Sequence, residues 1–165
     1  MLKLISILTI VMILTVGNSF SQCPQASKLI APDYKNGWGE NSQSKSGELR
    51  PGEQYEMRFI IQSGIKYRLQ VTAGVEDFSK DNVDFQVIGK EVIKVEENGR
   101  TSYKSTDVVL YDSKTAAEGE EAVFVSDRMQ RLTIKVEVKG NDGAGLVQCA
   151  AVLVEAKQSQ KLGLK

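Results

Sequence analysis

The stretch SGELRPGEQYEMRFIIQSGIKYRLQV, residues 46–71, decides the fold class. Within it Pro51-Gly52 is a turn dipeptide, after which Tyr55, Met57, Phe59 and Ile61 alternate with Glu56, Arg58 and Ile60. Successive side chains of a strand point to opposite faces, so a spacing of two predicts a half-buried strand. Ser63-Gly64 interrupts it, and Ile65, Tyr67, Leu69, Val71 and Ala73 then alternate with Lys66, Arg68, Gln70 and Thr72. The second run faces the same core, and the short break predicts that the two strands pair as a hairpin.

Downstream the same period returns. Polar EDFSKDN reads as a loop, followed by a strand carrying Val83, Phe85 and Val87. Asn98-Gly99 sits between KEVIKVEE and RTSYKS, and this dipeptide tolerates the positive φ of a type I′ turn, which predicts a hairpin left exposed by its charged flanks. DVVLYD, AVFVSD, RLTIKVEVKG and GLVQCAAVLVEA supply further strands. KTAAEGEEA is the best helical composition, yet it is short and contains Gly119. Eight or nine strands with turn signals between them predict an all-β fold, an antiparallel β-sandwich or barrel.

Upstream the chain divides differently. An uncharged apolar run from Leu4 to Val16 follows Lys3, and Ser19 and Ser21 flank Phe20. This is the pattern of a secretory signal peptide over 1–21, cut between Ser21 and Gln22, and the run is short of the roughly 20 residues that cross a bilayer. No later stretch is as apolar, so no transmembrane segment is expected and the mature protein is read as soluble, periplasmic or extracellular. Residues 22–48 are polar, with Pro24, Pro32, Gly37 and Gly39 and no period, and read as an extended lead-in. The sandwich is assigned to 49–156 and a fraying tail to 157–165.

Cys23 and Cys149 are the two cysteines, and export places both where disulfides persist. They are expected to pair. The alternatives are free thiols or a lipid-anchored Cys23, although Gln22 and Phe20 fit a lipoprotein signal poorly. With 21 basic and 21 acidic residues the chain has no field that favours nucleic acid or an anionic membrane.

SGELRPGEQYEMRFIIQSGIKYRLQV, then VVLYDS and LTIKVEV, resembles the jelly-roll-like sandwich of bacterial pre-peptidase C-terminal domains. The carriers are Gly47, Gly52, Tyr55, Gly64, Tyr67, Tyr111 and Asp112, between about Gly47 and Glu155. The resemblance implies an accessory module, here without the peptidase to which such modules are joined. NGWGENSQSKSGEL also resembles the opening of small exported proteins of Bacteroidetes, whose signal peptides end in a similar FSQ.

The chain has no histidine, which removes Ser-His-Asp and Cys-His nucleophiles and histidine metal sites. Carboxylates cluster at Glu118, Glu120 and Glu121 and at Asp77, Asp81 and Asp84, and both sets read first as solvated loops. DFSKDNVD offers oxygen ligands for calcium but lacks EF-hand spacing. No enzyme activity, cofactor or metal site is therefore expected. Trp38, in NGWGEN, either stacks on a sugar ring or folds down over one open end of the sandwich. The expected function is a non-catalytic binding module for protein or carbohydrate at the cell envelope, contacting its ligand through Trp38, Tyr34 and the hairpin at Asn98. The competing class is a structural or assembly subunit that pairs through a sheet edge.

Overall fold

Strands β3 (Gln54–Ile61) and β4 (Ile65–Gly74) form where the alternation places them, and Met57, Phe59, Ile61, Tyr67, Leu69, Val71 and Ala73 are all buried in one core. They do not pair with each other. In the computed structural model, which describes residues 23–97, 99–140 and 146–158, the two strands lie in opposite sheets. β3 runs antiparallel to β8 (Gln130–Val138), with Met57 opposite Ile134. β4 runs antiparallel to β9 (Gln148–Gln158), with Val71 opposite Val152, and on its other side to β7 (Ala122–Val125). The expected hairpin is instead a crossing between sheets. Gly64, at φ +74°, turns the chain over, its N–H donates to Ser126 O, and Ser63 Oγ donates to Asp127 O at the β7–β8 corner. Period 2 fixes which face of a strand is buried, and both arrangements bury the same faces.

One sheet holds β1 (Gly39–Glu40), β2 (Lys45–Leu49), β9, β4 and β7; the other has the order β3-β8-β5-β6, with β5 spanning Val83–Glu97 and β6 spanning Arg100–Asp112. From β2 onward every connection crosses between sheets except the β5–β6 hairpin. This is the double-sheet jelly roll. Leu132, Ile134, Val136, Val152 and Val154 fill its interior with the residues of β3 and β4, and Phe59 meets Tyr67 edge-on across the sheets at 6.4 Å.

Residues expected as an extended lead-in belong to the sandwich. Lys45–Leu49 pair with β9, and a short helix α1 (Ala26–Leu29) packs Ala26 and Ile30 on Ala151 and Leu153, on the outer side of the sheet. β9 is therefore covered on both faces, which is why AAVLV is apolar at consecutive positions. Cys23 is bridged to Cys149, Cα to Cα 5.5 Å, and ties this outer layer to β9. The segments assigned to the signal peptide, its cleavage point and the tail beyond Gln158 lie outside the described residues. No helix among the described residues is long and apolar enough to cross a membrane.

Candidate functional site

Two surfaces come from the two outer sheet faces. On the β9–β4 side the outward register carries Arg68, Gln70 and Glu155. Glu155 is wholly buried. Its Oε1 accepts from Asp33 N–H at 2.8 Å, while its Oε2 accepts from Arg68 Nε at 2.7 Å and from Gln70 Nε2 at 2.8 Å. The remaining Arg68 nitrogens reach Glu121 at 3.1 Å and Asp33 at 3.4 Å. Burial by itself raises the Glu155 pKa, but hydrogen bonds from Arg68, Asp33 and Gln70 outweigh it and hold the carboxyl below its ordinary value. Hydrogen bonding to Glu155 likewise raises the Arg68 pKa.

Trp38 closes this cluster. Its ring centroid lies 4.6 Å from the Arg68 guanidinium carbon and 4.3 Å from Lys157 Nζ, so cations occupy the aromatic face. Only 5% of the residue is exposed. A sugar has no access to that face, and Trp38 covers the outside of a sheet rather than an open end of the sandwich. Tyr34, in a single 3-10 turn over Tyr34–Asn36, is 65% exposed nearby. Asn98 lies outside the described residues, and its hairpin belongs to the opposite sheet. Trp38 and Tyr34 therefore lie on the side of one sheet, and strands β5 and β6 in the other.

Among the described residues no layer covers the outer face of β3-β8-β5-β6. Glu56 pairs with Lys135 at 3.3 Å and Lys90 with Asp107 at 2.8 Å across a shallow groove of about 480 Å3 floored by Ile88 and Thr133. Arg58 and Arg131 line the same groove on adjacent strands with no carboxylate of the described residues at ion-pair distance. Pairing of β5 with β8 ends at Ile88 opposite Thr133, whereas pairing of β5 with β6 continues to Glu97 opposite Arg100. A two-stranded arm therefore projects from the sandwich. The register slips at its base: Val87 faces Tyr111 and Ile88 faces Val109, leaving Leu110 as a bulge over Gly89, where a Cβ would stand 2.8 Å from Leu110 Cδ1. Val92, Ile93, Val109 and Leu110 are exposed along arm and base, and Tyr103 is 73% exposed.

In the acidic loop before β5 Ser79 Oγ accepts from Asp81 N–H, and Asp84, on β5 itself, is paired with Lys139 at 2.9 Å and Lys114 at 3.5 Å. Among the described residues no group of three or more His, Cys, Asp or Glu side chains is arranged to hold a metal ion.

Sequence reading missed the Arg68–Glu155 cluster. Its one signal was a glutamate ending an apolar run whose consecutive positions are all buried. No protein-family model matches the chain, and no curated protein is similar to it above chance.

Proposed function

We propose that this jelly roll is an exported, non-catalytic recognition module that binds a protein partner at the cell envelope through its β5–β6 arm and the adjoining open sheet face. The observation that carries this reading is the arm itself. Two-stranded ribbons are marginal in water unless something packs on them, and this one holds Val92, Ile93 and Tyr103 out to solvent. Arg58 and Arg131, which make no ion pair among the described residues, add a preference for an acidic surface. Export is supported by the disulfide, which persists in oxidising compartments, and with its Sγ in that bridge Cys23 has no thiol to carry a lipid. Carbohydrate is the less favoured ligand, because Trp38 is occupied and the open groove has no aromatic platform.

The second reading is an assembly subunit. It rests on β6, an edge strand of 13 residues whose outer side has no partner strand among the described residues. A photo-crosslinking residue at Tyr103, compared with one at exposed Glu40 on the far sheet, separates the two in cells that make the protein. The expected result is a discrete adduct with a different protein from position 103 alone. Excess purified chain should suppress it, whereas a variant with residues 91–106 replaced by Asn-Gly should not. None of the described residues in that span is buried, so the sandwich should persist. An adduct of twice the chain mass transfers the conclusion to assembly, and a signal no stronger than that at Glu40 overturns both.

A further inference from the structure

The two sheets do not close fully at the edge where β2 faces β3. The inward register of β2 is Lys45, Gly47 and Leu49, and Gly47 stands opposite Ala150 on β9. Across the gap, Tyr55 is paired with Val136. A glycine and an alanine side by side leave space that a larger pair would fill, and a Cβ built on Gly47 meets nothing within 4 Å. The result is a slot of about 190 Å3, with Leu49, Tyr55, Val136, Ala150 and Val152 as its apolar walls. An apolar cavity of about 150 Å3 stays dry and takes a benzene-sized guest, so this one is large enough for a single ring or a short alkyl chain.

Its polar border is formed by Lys45, Ser46 and Glu48 on β2. Lys45 is exposed, lines the slot and makes no ion pair among the described residues. Ser46 and Glu48 border the slot from the opposite register of the strand, so Lys45 is the charged residue on the inward register. Tyr55 is 39% exposed, so the slot opens to solvent beside it. An apolar recess with a single ammonium beside it matches a ligand with an apolar body and one carboxylate.

From this geometry we infer that the slot between β2 and β3 is a binding site for a small monocarboxylic acid, with the alkyl or aryl body between the sheets and the carboxylate on Lys45. The site is remote from the arm and independent of it.

Titration calorimetry of the bridged protein with octanoate and with 1-octanol tests this. The expected result is saturable binding of one octanoate, at least fivefold tighter than the alcohol. Gly47→Leu fills the slot at a position with ordinary φ and open space, so it should fold at least as stably while weakening octanoate more than tenfold. Lys45→Met should keep the alcohol affinity and lose the preference for the acid. Excision of residues 91–106 should change neither. No saturation at millimolar octanoate, or unchanged affinity in a folded Gly47→Leu protein, overturns the site. Octanoate and octanol binding equally overturns the role of Lys45, and retained binding by the arm-less variant separates this outcome from any failure of the arm.

Discussion

The side chain of Gln43 takes the place of a neighbouring strand for Ile60: its Oε1 accepts from Ile60 N–H at 2.7 Å and its Nε2 donates to Ile60 O at 3.0 Å. Ile60 lies on β3, the edge of its sheet, while Gln43 comes from the turn before β2 in the other sheet. A single amide thus ties the two sheets together and occupies two edge groups open to another chain. Gln43→Ala is expected to destabilise the fold by only about 0.5 to 1 kcal/mol, since water can replace the bonds at this exposed site. The Ile60 amide should exchange with solvent at least tenfold faster. Unchanged protection of Ile60 by hydrogen exchange would disprove the clamp.

Breaking the Arg68–Glu155 pair should be far more severe. Glu155→Gln keeps the shape but leaves a guanidinium, itself 7% exposed, facing a neutral amide, and the loss of one partner of a buried pair costs about 3 kcal/mol. Urea unfolding at pH 7 measures it. A loss under 1 kcal/mol would mean that Asp33 and Glu121 hold Arg68 unaided.

The same carboxylate gives a pH dependence of known sign. Its folded pKa lies below the ordinary value of 4.5, so in the window between the two the unfolded chain binds more protons than the native one. The stabilisation is complete above about pH 4.5 and fades as pH falls through the folded pKa. Asp33, held low chiefly by the Asn36 side-chain amide, adds to the effect in the same direction. Stability of the wild type should fall across this window, and Glu155→Gln should flatten part of the slope. Parallel curves for the two proteins would remove Glu155 as the source.

The Cys23–Cys149 bridge spans a separation of 126 residues, and in the chain-entropy treatment closing so long a loop stabilises the native state by about 4 to 5 kcal/mol. A Cys23→Ser, Cys149→Ser protein should show that loss in its urea midpoint. A difference below 1 kcal/mol would show that the outer layer is held by α1 and the Glu155 cluster alone.

Face assignments were readable in the sequence and neighbour relations were not. Met57, Phe59, Tyr67 and Leu69 announce their burial by period 2, but nothing local separates a hairpin at Ser63-Gly64 from a crossing. The layer around Trp38 reads as loop because its polar groups are satisfied at long range: Val154 N–H donates to Ser44 Oγ, and Asp33 N–H to Glu155. The bridge was legible since only two cysteines exist. The arm was legible only as a turn at Asn98-Gly99, because its length depends on where β8 stops covering β5. The slot was invisible, since it depends on which residues face Gly47 across the sheets.

β9 is the last strand among the described residues and lies inside its sheet, between β4 and the pair β1 and β2. Among the described residues β1 and β2 pair with no strand but β9, and β4 pairs with it along its full length. A chain delivered from its amino terminus therefore cannot assemble this sheet progressively. Its early strands wait with open edges until residues 148–158 arrive, and pairing then closes in one late, high-contact-order step. A chain that stops before residue 148 would lose the spine of the sheet rather than its rim.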